Sequence, residues 1–234
     1  MFGRKLRALG IGFICLLLLV ACGSQRSSGA GSTKKGLKIV TSFYPVYSLV
    51  KEISGDRNEV WMVQSGAGIH DYEPSAKETA QIYDADVFVY HSQTLESWAG
   101  RLDPSLQDSK LRVIEASKGM ELDKVAGLED IEDTEGKDAK HLYDPHTWMD
   151  PLKIAEEGKI IAKELGDIDP ENRSYYEANA QKLAKRCEAL VDKYQPLFEK
   201  ATQKTFVTQH TAFSYLAKRF GLKQLGIAGI SPEQ

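Results

Sequence analysis

Between Leu37 and Ile114 the chain repeats one pattern: a short, nearly continuous apolar run, then a segment with helical rhythm. Leu37-Lys38-Ile39-Val40-Thr41-Ser42 is the first run. Pro45 then opens a helix whose inward residues are Val46, Leu49, Val50 and Ile53, ended by Gly55. Further strands are expected around Val60 to Val63, at Asp86 to Tyr90 and at Leu111 to Ile114. Ser75 and Glu78 form a capping box ahead of a short helix. Strands that are apolar on both faces need cover on both faces. The pattern therefore predicts an α/β fold with a mainly parallel sheet.

Glu121 to Lys140 interrupts the alternation with eight acidic residues against three lysines, and reads as a solvated loop. Asp150 and Pro151 then start a helix with Ile154, Ala155, Ile161, Ala162 and Leu165 inward and Gly166 at its end. Asp169 and Pro170 start another. Tyr176, Ala180, Leu183, Cys187, Leu190, Tyr194 and Leu197 form one stripe along it, and Pro196 is expected to kink its last turns. From Glu171 to Ala201 it would span about 46 Å, more than one small lobe needs. It reads as a spine between two lobes. The alternation restarts with a strand at Thr205 to Thr208, a helix from Ala212 to Phe220 and a strand at Gln224 to Ile227. The expected fold class is α/β: two lobes with mainly parallel sheets, joined by a long backbone helix, the second lobe incomplete. The first lobe is expected at 37–168, the linking helix at 169–201 and the start of the second lobe at 202–234.

Ahead of these elements, residues 1–21 carry a basic start, Arg4, Lys5 and Arg7, then an apolar run from Ile11 to Val20. This is a secretory signal, short for a membrane span. It ends in Leu19-Val20-Ala21-Cys22-Gly23, which resembles the bacterial lipobox, whose cysteine receives a diacylglycerol thioether. Cys22 is thus the expected lipidation site, and acyl chains add about 0.8 kcal/mol per buried methylene. Residues 22–36 are rich in Ser and Gly and read as a flexible tether. With Cys15 lost and Cys22 lipidated, Cys187 stands alone, which excludes a disulfide within the mature chain and a Cys-pair zinc site. Net charge is −3 with no basic stripe, so nucleic acid is not an expected partner.

Three histidines share one local setting. His70, His146 and His210 each lie on a loop at a strand-to-helix turn or just before a capped helix, where open α/β sheets bind ligands. His146 is the most constrained. It stands in Asp144-Pro145-His146-Thr147-Trp148-Met149-Asp150-Pro151, between two Asp-Pro pairs that stiffen the backbone. The three lie far apart in the chain, so only folding can bring them together. No HExxH spacing is present, and spacing alone is a weak metal signal.

The motifs themselves carry more. Ile69-His70-Asp71-Tyr72-Glu73-Pro74-Ser75, the His146 stretch and Thr208-Gln209-His210-Thr211-Ala212-Phe213 resemble the signatures of metal-binding substrate-binding proteins of ABC importers. The likeness is greatest to the streptococcal zinc-binding lipoproteins also described as laminin-binding proteins. It implies two α/β lobes joined by a rigid helix, with the metal in the cleft. His70 and His146 would be ligands from the first lobe and His210 from the second. Zinc-type members have histidine at that third position, where manganese-type members usually have a carboxylate. Three neutral imidazoles suit Zn2+, carried as cargo rather than as a catalyst. The resemblance further implies an ABC permease as partner, membrane lipid through Cys22, host laminin as an additional partner, and a monomer. The location would be the extracytoplasmic face of the cell membrane, lipid-anchored, on a Gram-positive surface. The family's fourth ligand, a carboxylate, is expected beyond Gln234.

The expected function is therefore a zinc receptor that makes and breaks no covalent bond. The alternatives are a manganese receptor of the same fold and a zinc hydrolase using three histidines, though no general base is evident. His91, after the third strand, is a lesser candidate to line the cleft, and His141 reads as a loop residue or transient contact. Glu73 could stand behind His70 or simply add loop polarity. Asp144 and Asp150 could orient ring N–H groups, although Asp150 is already accounted for as a cap.

Overall fold

The computed structural model describes residues 36–63, 68–102, 110–125 and 142–229. The signal, Cys22, its tether, His141 and most of the acidic loop lie outside the described residues.

Four strands, β1 (Lys38–Thr41), β2 (Glu59–Met62), β3 (Val87–Tyr90) and β4 (Arg112–Glu115), form a fully parallel sheet in the order β2-β1-β3-β4. Ile39 is in register with both Val60 and Val87. Successive side chains in a strand point to opposite faces, and two cores follow. Ile39, Val87 and Val89 pack under α1 (Tyr44–Ser54), α4 (Pro151–Ile168) and α5 (Arg173–Lys200). Val40, Phe88 and Tyr90 pack on the other side with Ile82 of α2 (Ala76–Tyr83) and Trp98 of α3 (Ser97–Leu102). The order of strands reverses between β1 and β3, which in such sheets opens a crevice at the strands' carboxyl ends.

The capping box is formed. The Ser75 hydroxyl accepts from the Glu78 N–H, and the Glu78 carboxylate accepts from the Ser75 N–H at 2.8 Å. The short helix α3 had no counterpart in the sequence reading, because six residues give too little periodicity to register. α4 does not end at Gly166 but continues to Ile168. A Cβ at Gly166 would lie 3.0 Å from Arg173 Cγ, so the glycine serves close packing rather than termination. At the start of the long helix, Asp169 is no cap in the usual sense. Its carboxylate accepts from Asn172 Nδ2 and from the Tyr176 hydroxyl, both at 2.7 Å.

α5 includes Pro196 and extends to Lys200. Its apolar stripe is buried only in part. Tyr176, Ala180, Leu183 and Cys187 belong to the first core, whereas Leu190, Tyr194 and Leu197 are exposed. Cys187 is a free, buried thiol, and burial pushes its pKa up. Beyond α5, β5 (Thr205–Thr208) and β6 (Lys223–Gly226) pair in parallel through α6 (Ser214–Phe220), which ends at Gly221 in the left-handed conformation, φ +65°. The chain is thus two α/β lobes with parallel sheets and a long helix between them. No helix among the described residues is long and apolar enough to cross a membrane.

Candidate metal centre

His70 lies in a 3-10 turn, Ile69–Asp71, at the end of the connection from β2. His146 directly precedes a second 3-10 turn, Thr147–Met149, which leads into α4. Asp144 Oδ1 holds both the His146 backbone N–H, at 3.0 Å, and ring Nδ1, at 2.7 Å. With Nδ1–H given to a carboxylate, the lone pair is placed on Nε2 and the ring orientation is fixed. His210 follows β5. Its carbonyl accepts from Gln224 Nε2 of β6 at 3.2 Å, and the same amide reaches the Thr208 hydroxyl at 2.6 Å.

The structure brings the three rings together. Their centroids are 5.3 Å apart for His70–His146, 5.3 Å for His70–His210 and 4.9 Å for His146–His210. One nitrogen from each ring lies within 4.8 Å of the others, and His146 Nε2 is 3.1 Å from His210 Nε2. Two donors on a tetrahedral zinc at about 2.0–2.1 Å sit roughly 3.3 Å from each other. The spacing therefore suits an ion between them. His146 is 2 % exposed, while His70 and His210 are half-buried and keep access to solvent.

Comparison with known proteins places the fold. A family model described as zinc-uptake complex component A, periplasmic (ZnuA), matches residues 39–234. The chain belongs to this family. Among relatives, the high-affinity zinc uptake system protein ZnuA of Bacillus subtilis is 38 % identical over 236 residues, covering 99 % of this chain and 73 % of that protein. The Zn(II)-bound crystal structure of an AdcAII variant from Streptococcus pneumoniae is similar with a TM-score of 0.81 and 66 % identity, over 86 % of this chain and 72 % of that one. The laminin-binding protein Lmb of Streptococcus agalactiae, described as bifunctional with adhesin and metal-transporting activity, has a TM-score of 0.76 and 56 % identity, over 86 % and 71 % of the two chains.

In this ZnuA-family chain two lesser candidates find other employment. His91 does not line the cleft. It is fully buried at the β1–β3 switch point, with Nδ1 3.0 Å from the Ser92 hydroxyl and Nε2 2.8 Å from the Thr147 hydroxyl. Both ring nitrogens are taken, and Trp148 lies against both His91 and His146. Burial disfavours the charged ring, but Glu157, hydrogen-bonded to Thr147, and Glu96 together raise its pKa. Glu96 accepts from Ser42, from the His91 N–H and from the Ser92 N–H, so the crevice is filled with a satisfied polar network. Burial raises the Glu96 pKa in turn. Glu73 does not stand behind His70; it is exposed and paired with Arg101.

Of the two aspartates, Asp144 orients the His146 ring as expected. Asp150 caps α4, accepting from the Leu152 N–H at 3.0 Å, and also pairs with Arg219 of the second lobe. Thr147, Glu157 and Arg219 escaped the sequence reading. A glutamate on the inner face of α4 was the one visible signal, since a charge on an otherwise apolar face demands a partner.

Proposed function

We propose that the chain is an extracytoplasmic zinc receptor. His70, His146 and His210 take Zn2+ from solution, and an ABC permease accepts it from the lipid-anchored protein. The observation that carries this reading is the convergence of three imidazole nitrogens, from loops far apart in sequence, within 4.8 Å of one another. A donor set of three imidazoles suits zinc better than the harder, oxygen-preferring cations, which argues against a manganese cargo. The named activities of the ZnuA and AdcAII relatives support the same cargo.

A hydrolase would need a base beside the ion. Asp144 is committed to His146 Nδ1, and Asp150 to Leu152 and Arg219. Binding and release of an ion need no such group. The likeness to Lmb supports a second role in which the receptor meets host laminin. Cys22 would carry the lipid, and the protein would act as a monomer.

The test is a zinc titration against a competing chelator with the wild-type chain and with His70→Ala, His146→Ala and His210→Ala. One ion per chain is expected, with tight binding lost in each variant. Retention of wild-type affinity by any of the three would remove that residue from the site.

A further inference from the structure

The loop bearing His210 runs directly into α6, and α6 reaches across to the His146 motif. The Tyr215 hydroxyl donates to the Asp144 carbonyl at 2.9 Å and accepts from the Asp123 N–H at 2.8 Å. One turn later, Arg219 grips both carboxylate oxygens of Asp150, Nε to Oδ1 at 2.8 Å and Nη2 to Oδ2 at 2.7 Å. Tyr215 is 2 % exposed and the Asp150 side chain 5 %. Lys218 adds an exposed pair with Asp123 at 2.6 Å, which contributes little by itself.

The two aspartates gripped are not arbitrary. Asp144 fixes the ring and backbone of His146, and Asp150 caps the helix that follows it. Tyr215 therefore holds one end of the His146 loop and Arg219 holds the other. We propose that Tyr215 and Arg219 are positioning residues that staple His210 to His146, so that α6 sets the spacing between the two imidazoles. The proposal rests on the zinc-receptor reading.

A bidentate guanidinium–carboxylate pair fixes orientation as well as distance. A buried hydroxyl that both donates and accepts does the same for the opposite end of the loop. The two contacts therefore resist rotation of one lobe against the other in different directions. Without them, His210 would be tethered to the first lobe mainly through the distant end of α5. An ion held by ligands from both lobes leaves when the lobes part, so the staple should act chiefly on release.

The experiment compares zinc release into excess chelator, and equilibrium zinc affinity, for the full chain and its Y215F, R219Q and R219K variants. Melting of the metal-free proteins is recorded in parallel. Loss of one such contact is expected to speed release about tenfold in Y215F and in R219Q. R219K, which keeps the charge but not the fork, should fall between R219Q and wild type. If the contacts were merely structural, the metal-free melting temperature would drop while release from folded protein stayed unchanged, and that result overturns the proposal. Should Y215F fail to fold, R219Q decides, because its side chain is partly exposed. Wild-type chain that fails to bind zinc, or binds it equally well as His146→Ala, would instead sink the receptor reading itself. Histidine-dependent zinc binding with unchanged release in R219Q would sink only the staple.

Discussion

The two lobes solve one packing problem to different degrees. In the first, a four-stranded parallel sheet carries a core on each face and β3 is buried at every residue, although Trp61 and Met62 of the edge strand β2 are exposed. In the second, among the described residues, two strands stand beside one short helix, and Val207, Leu225 and Ile227 are exposed together with Leu190, Tyr194 and Leu197 of α5. Val207 and Leu225 lie in register on the paired strands, so part of this apolar surface is shared between neighbours. The relatives and solved structures are longer chains, of which this one spans 73 % and 72 % in the two cases above. The contrast teaches that an amphipathic rhythm is only half of a packing instruction. The stripe on α5 keeps its spacing along its length, but what lies opposite decides which half becomes core.

The sharpest way to test the comparison is at the ion. His146→Ala in the covered lobe and His210→Ala in the open one should both weaken zinc binding by more than about a hundredfold, beyond the effect of removing a supporting group. Chelator competition measures it. An effect confined to one lobe would mean that the other lends shape but no ligand.

Stability should divide along α5. Leu183→Ala, in the core at 6 % exposure, is expected to cost about 2–5 kcal/mol. Leu197→Ala, at 59 %, should stay within about 0.5 kcal/mol. Urea unfolding of the two variants checks this. Equal losses would show that the far end of the helix is covered in solution.

A subtler probe leaves the ligands alone. Asp144→Asn keeps the shape but replaces the carboxylate on His146 Nδ1, and should lower zinc affinity about 10–100-fold. Affinity should also fall as pH drops through the range where imidazole protonates, since only the neutral ring ligates. Titrations at neutral and mildly acid pH that gave the same affinity would rule out a three-imidazole site. The smallest effect belongs to the first lobe's surface: Ser75→Ala, which removes the cap of α2, should cost about 1 kcal/mol by denaturant unfolding without touching zinc.

Much of this was legible in the residues. The continuous apolar runs identified the parallel strands, because a strand buried on both faces has no room for alternation. The Asp-Pro pairs marked the His146 loop, because proline restricts both itself and its predecessor. Ser75 and Glu78 were visible as a cap because that hydrogen bonding is local in sequence. What stayed hidden depends on distance in the chain. Nothing near Tyr215 or Arg219 signals that they meet Asp144 and Asp150, some seventy positions earlier. His91 misled for the same reason. Its position after β3 suggests a cleft, and only its partners Ser92 and Thr147, with Glu157 behind, reveal a filled interior. The stripe on α5 shows the remaining limit, since propensity says what a segment can do and the neighbours decide what it does.

The plugged crevice between β1 and β3 has a last consequence. Sheets wound this way usually seat a flat organic cofactor there, deep against the backbone. Here that berth is occupied by the protein's own Ser42, His91 and Glu96, and Trp148 stands between His91 and His146 of the imidazole cluster. A flat ligand could enter there only by breaking the buried hydrogen bonds to Glu96, each of which would leave a polar group stranded in the interior.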